Sequence, residues 1–300
     1  MFSKFLIKYT LFFSLFLLLI NTYNIFYPKD YRNDPYLIKG YFSKENKKIL
    51  NYISEENREE ILPYKDAIKK LDDLYNMHGE TLKFLEAATK IYFISKVPVE
   101  YSWKEKYTKI KFQENWILYF FRKIEENQIK NGLKSKYGGA YIFYQSSDYK
   151  FALRRGISIC SQDATSFANL LKKRYGIDYN IIGLDGHVLM QAKLNNKFYL
   201  SDPNMGLTFN FSIDEYYNNY KNQLTIKNTY NTIGRSDLAR YFNKEGNRKY
   251  NYTGPQAKKN TYNPDTLTFL SNFIKWLLPM FLIILMLYLY YKKKSSFTNI

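Results

Sequence analysis

Gly156-Ile-Ser-Ile-Cys160-Ser-Gln-Asp163-Ala-Thr-Ser-Phe-Ala-Asn-Leu-Leu171-Lys-Lys-Arg-Tyr-Gly176-Ile-Asp178 decides how this chain is read, and Cys160 is its only cysteine in 300 residues. Ala164, Phe167, Ala168 and Leu171 recur at three- and four-residue spacing, which predicts a helix, and Gly176 is placed to end it. Cys160 then sits at or just before the first turn. A helix N-terminus presents backbone N–H groups and a positive partial charge, which lower a thiol's pKa and favour a developing oxyanion.

Downstream, three strands are expected at 178–184, 187–194 and 197–202. In the middle one Val188, Met190, Ala192 and Leu194 alternate onto one face, so His187 takes the other. If Asn195-Asn196 forms a two-residue turn, Leu194 pairs with Lys197 and Leu189 with Asp202. His187 and Asp202 then share a face as diagonal neighbours, at a backbone separation of ~7–8 Å that their side chains can close. A slip of one residue would send Asp202 to the opposite face.

Taken singly, each residue has an ordinary explanation. A lone cysteine is often a small buried hydrophobe, and Asp202-Pro203 after a strand is often a turn. A thiol at a helix start, with a histidine and an aspartate on one hairpin face, is instead what a nucleophile, its base and the base's orienter require. The second of the two histidines, His78, precedes Gly79 and reads as the C-terminal residue of a helix, where a partly cationic imidazole suits the dipole.

These residues resemble the transglutaminase-like (papain-like) cysteine hydrolases and acyltransferases. The resemblance is carried by the glycine-led turn Gly156-Ile-Ser-Ile-Cys160, the passage from Phe167 to Gly176-Ile177, His187-Val188 and Asp202-Pro203, and it spans roughly residues 112 to 205. It implies Cys160 as nucleophile, His187 as general base and acid, and Asp202 as the residue that orients His187. Many members carry Gly-Asp directly after the cysteine, whereas this chain has Ser161-Gln162-Asp163, with Ala164 where their alanine falls. The side chain that assists the oxyanion lies upstream of the cysteine in the family, which makes Tyr144 and Gln145 the candidates here. The implied fold class is α+β: a transglutaminase-like core with a helical N-terminal portion and an antiparallel sheet, flanked by two transmembrane helices.

The ends carry the membrane signals. Tyr9 to Tyr27 is nearly uncharged and follows Lys4 and Lys8; the first alanine of the chain is Ala67, so no small-residue cleavage site follows, and an uncleaved signal anchor is expected over 1–28. Residues 269–291 are apolar apart from Ser271, Asn272 and Lys275, long enough to cross a ~30 Å core at 1.5 Å per residue, and run into Lys292 to Lys294. Lysines on the cytoplasmic side would place both termini, including the tail 292–300, inside and the intervening chain outside. Between the spans, a polar stalk is expected at 28–35 within a helical region 29–111, followed by the transglutaminase-like domain at 112–265. Helices are expected at 61–77, 80–96 and 113–128.

Forty-five Lys and Arg against 27 Asp and Glu give a net charge of +18, about +13 without the five terminal lysines. Lys, Asn, Tyr and Ile are abundant throughout, so this charge reads as a composition bias, and no specific nucleic-acid partner is expected. No phosphate-binding loop, nucleotide fingerprint or zinc-ligand set occurs, and no metal or cofactor is expected. A single cysteine excludes an internal disulfide. The expected partners are the membrane and a peptide, protein or cell-envelope amide substrate. The function expected is an extracytoplasmic, membrane-anchored cysteine hydrolase working through a thioester; the alternatives are an acyltransferase that passes the acyl group to an amine and a non-catalytic domain that keeps the fold for binding.

Overall fold

A computed structural model describes residues 4–26, 30–41, 44–53, 61–98, 107, 109–133, 148–184, 186–242, 251–253 and 264–298. The elements run α1 (Lys4–Phe26), α2 (Pro35–Tyr41), α3 (Lys44–Ile53), α4 (Tyr64–His78), α5 (Leu82–Ile94), β1 (Val97–Pro98), α6 (Trp116–Lys130), α7 (Tyr149–Arg155), β2 (Ile157–Ser158) and α8 (Cys160–Tyr175). Then follow β3 (Asp178–Leu184), β4 (His187–Leu194), β5 (Lys197–Asp202), β6 (Leu207–Thr208), α9 (Ile213–Asn218), α10 (Tyr220–Thr232), α11 (Ser236–Phe242), β7 (Asn251–Thr253) and α12 (Pro264–Thr298). The class is α+β with an antiparallel sheet. Contacts divide the chain into two compact units, one of residues 1–29, 109–144 and 266–300, the other of residues 30–108 and 145–265.

The second unit is built on a five-stranded sheet in the order β6-β5-β4-β3-β7, antiparallel throughout. Asn195 and Asn196 both take left-handed backbone, with φ of 48° and 65°, as a two-residue hairpin turn demands. The turn fixes Leu194 opposite Lys197 and carries the register to Met190 opposite Ser201, the pairing expected from the alternation of the sequence.

Adjacent residues of a strand point to opposite faces, and two apolar cores follow from that. On one face Ile181, Met190, Ala192 and Leu194 pack with Phe84, Leu85 and Ala88 of α5 and with Ala164, Phe167, Ala168 and Leu171 of α8. On the other, Ile182, Leu184, Leu189 and Leu200 meet Tyr216, Ile226, Tyr230 and Phe242 from α9 to α11. Full burial of a side chain such as Phe167 or Leu171 is worth about 1.5–3 kcal/mol, and both are completely buried. This stripe is why the sequence 160–175 is a helix and why the helix lies on the sheet.

Residues 30–34 are not a stalk. Tyr31 and Arg32 are buried, and the Arg32 guanidinium donates to the carbonyls of Ser95 (3.0 Å), Leu153 and Arg154 (3.2 Å) and pairs with Asp30 (2.9 Å). Composition made the segment look solvated, whereas three carbonyl acceptors make burial of the arginine possible. Gly156 is required at the crossing: its φ is +66°, and a Cβ there would stand 2.5 Å from Arg32 Cγ.

In the first unit α1 and α12 contain stretches long and apolar enough to cross a membrane, Phe5–Phe26 and Phe269–Lys292. Several of the polar residues that interrupt them bond to other segments of the unit. Asn21 donates to the Lys275 carbonyl (2.6 Å), Asn24 to the Glu114 carbonyl (3.3 Å), and Asn115 to Ser271 Oγ (2.9 Å). Amides that would be expensive in hydrocarbon thus find acceptors inside the protein. These two helices are consistent with membrane association.

Candidate active site

Cys160 is the first residue of α8, after Ile159 in extended backbone, and no side chain caps the helix. The first turn therefore keeps the donor capacity that an Asn or Ser cap would have taken up. The thiol is partly exposed. The short parallel pair of β1 with β2, Val97 opposite Ile157 and Pro98 opposite Ser158, fixes the approach to the helix.

His187 opens β4, and its Nε2–H donates to Asp202 Oδ2 at 2.8 Å. Cys160 also acts on the imidazole, and its interaction favours the charged ring. The structure thus brings together all three residues singled out in the sequence. Burial by itself would lower the imidazole's pKa, but the charge and hydrogen bond of Asp202, reinforced by Cys160, push it up to about 10. The chain of thiol, imidazole and carboxylate can hold a thiolate–imidazolium pair and can move a proton between sulfur and a neighbouring group.

Asp202 is itself held on three sides. Its Oδ2 also accepts from the Tyr230 hydroxyl (2.6 Å), and its Oδ1 accepts from the Asn204 backbone N–H (3.0 Å). Burial first, and then the charge of Asp202, raise the Tyr230 phenol well above 10, so it stays a donor. The Asn204 side chain continues outward to a second buried carboxylate, donating to Asp163 Oδ2 at 2.7 Å.

Asp163 stands one turn into α8 from Cys160. Its Oδ1 accepts from Lys96 Nζ and from Ser158 Oγ, and both charged partners are buried. Burial lowers the Lys96 pKa against the opposing pull of Asp163, and the Lys96 ammonium lies 4.2 Å from the centre of the Tyr92 ring. The pair ties the approach strand, the head of α8 and the turn after β5 into one polar network, and places a cation beside the carboxylate nearest to the thiol along the helix.

Lys96, Asp163, Asn204 and Tyr230 were not among the residues the sequence singled out. A signal existed for Asp163, which heads the buried face of its own helix with Phe167 and Leu170. None marked Lys96, which reads as a surface lysine at a helix end. Tyr144 and Gln145, the oxyanion candidates, lie outside the described residues. His78 ends α4 beside Gly79 and is not part of the site.

Among the described residues, no group of three His, Cys, Asp or Glu side chains is placed to hold a metal ion. Compared with protein-family models, with curated proteins and with solved structures, the chain gives no match.

Proposed function

We propose that this chain is a membrane-anchored, extracytoplasmic cysteine hydrolase of the transglutaminase-like kind, cleaving peptide or other amide bonds through a thioester on Cys160. The observation that carries the reading is His187 hydrogen-bonded to the buried Asp202 and interacting with Cys160, the cysteine standing at the uncapped start of α8. The lysine flanks of the two apolar helices, Lys4 and Lys8 at one end and Lys292 to Lys294 at the other, support a central domain outside the cytoplasm.

The thiolate of Cys160 attacks the amide carbon, and the carbonyl electrons move onto oxygen. The backbone N–H groups at the uncapped head of α8 are the donors this reading assigns to that charge. As the tetrahedral species collapses, the C–N bond breaks and the proton on His187 passes to the leaving amine, giving a thioester and a neutral imidazole. His187 then takes a proton from water as the oxygen adds to the thioester; the C–S bond breaks, the carboxylic acid leaves, and the thiolate–imidazolium pair is restored. Asp202 holds the ring in the required tautomer and supports its positive charge without accepting the proton.

The test is a search for the covalent intermediate. Purified protein is mixed with amide and peptide libraries and analysed by intact mass before and after hydroxylamine, which cleaves thioesters. The expected result is a hydroxylamine-sensitive adduct on the wild type that is absent from Cys160→Ala; a primary amine added in excess distinguishes transfer from hydrolysis by capturing the acyl group. An adduct that persists in Cys160→Ala contradicts the assignment.

A further inference from the structure

Helix α6 has an inside-out surface for a helix in water. Arg122 and Glu125 are buried at 5% and 1% exposure, whereas Phe120, Phe121 and Ile124 stand 46%, 39% and 55% exposed. At 3.6 residues per turn, Ile117, Phe120, Phe121 and Ile124 fall within an arc of about 100°. Tyr119, Lys123, Asn127 and Lys130 occupy a separate strip. One apolar face, one charged face and one packed face make the pattern of a helix lying at a lipid–water boundary.

The unit to which α6 belongs says what covers the apolar strip. Its cap residue, Asn115, donates to Ser271 Oγ (2.9 Å) and Asn272 Oδ1 (3.3 Å) of α12, and Lys275 Nζ donates back to the Glu114 carbonyl (3.4 Å). Asn24, near the end of α1, donates to that same carbonyl. The apolar span of α12 begins at Phe269, so these partners lie within about 9 Å of its start at 1.5 Å per residue. The head of α6 is therefore held at the level where the spans leave hydrocarbon for water, the depth at which interfacial helices sit.

We propose that α6 is a third membrane-contacting helix, with Ile117, Phe120, Phe121 and Ile124 seated in the boundary between lipid headgroups and acyl chains and Lys123 and Lys130 on the side of the headgroups and water. This rests on α1 and α12 crossing the bilayer. It gives residues 109–133, which adjoin the spans in space although not in sequence, a role in anchoring rather than in the sheet-based unit.

The test uses the full chain with Cys160→Ser, carrying one nitroxide label in turn through Phe120→Cys, Ile124→Cys, Lys123→Cys and Leu278→Cys. Each protein is reconstituted in vesicles of phosphatidylcholine and phosphatidylglycerol, and collisions with oxygen and with a water-soluble nickel chelate are compared. Positions 120 and 124 are expected to match position 278 in favouring oxygen, with a ratio of oxygen to nickel collisions severalfold above that at 123. A ratio at 120 and 124 equal to that at 123, or protection of both from oxygen and nickel alike, overturns the proposal while 278 still reports lipid. Nickel access at 278 overturns the membrane reading itself and this proposal with it.

Discussion

Asp163 and Asp202 are both fully buried carboxylates, joined through Asn204, yet one faces an ammonium and the other an imidazole. Asp163 is matched by Lys96 and by Ser158, a fixed ion pair with its hydrogen bonds supplied on every side. Asp202 is matched by His187, Tyr230 and a backbone N–H, and its cationic partner is an imidazole, which can hand a proton to a neighbouring group and take one back. The contrast separates holding from working. A lysine opposite Asp163 neutralises charge near the thiol without shuttling protons, and a histidine opposite Asp202 does both.

If the two carboxylates differ in this way, replacing Asp202 should cost activity and replacing the partner of Asp163 should cost stability. Asp202→Asn keeps the shape and removes the charge that holds the imidazolium, so turnover should fall by about 10²- to 10⁴-fold. The same variant should alter how stability depends on pH. His187 rises from an ordinary 6.5 to about 10 in the fold, so its contribution is complete below about pH 6.5 and is lost as pH climbs through about 10. The temperature of thermal unfolding should fall as pH rises between those values in the wild type, and that fall should flatten in Asp202→Asn. An unchanged slope would show that the two side chains do not share a charge in solution.

Lys96→Met addresses the other end. Removing one partner of a buried pair leaves Asp163 charged and uncompensated, a loss of about 3–5 kcal/mol measurable by urea unfolding. Restoring balance with Lys96→Met and Asp163→Leu together should recover most of it, since a buried ion pair is often no better than apolar packing. Loss below about 1 kcal/mol in the single variant would remove the distinction drawn here. Tyr230→Phe is the mildest change: it deletes one donor to Asp202 while His187 and Asn204 remain, and a hydrogen bond to a charged group is worth about 1.5–3 kcal/mol. Its effect should fall on turnover and on the pH profile of His187 more than on substrate binding.

The working half of this comparison was legible in the sequence and the holding half was not. Strand alternation and the Asn195-Asn196 turn were enough to place His187 and Asp202 on one face, because a period of two leaves no intermediate register. The helical stripe from Ala164 to Leu171 was enough to set Cys160 at a helix start. Lys96 lies 67 residues from Asp163 along the chain, and nothing local distinguishes a lysine that will be buried by a distant carboxylate from one that remains in water. Arg32 escaped for the same reason, since its acceptors are backbone carbonyls that carry no sequence signature. The helix 116–130 was legible as a helix but not as a neighbour of the terminal spans, because its exposed phenylalanines look like core residues until the packing around them is known.

The central claim is that Cys160 and His187 form one ionised pair supported by Asp202. It is tested most directly by following the rate of alkylation of Cys160 with iodoacetamide across pH 4 to 10 in the wild type, His187→Ala and, as a control, His78→Ala. A free thiol loses reactivity below its pKa of about 8.5. Reactivity that persists well below that value in the wild type and in His78→Ala, and moves upward in pH in His187→Ala, is the result expected; superimposable profiles for the wild type and His187→Ala would contradict it.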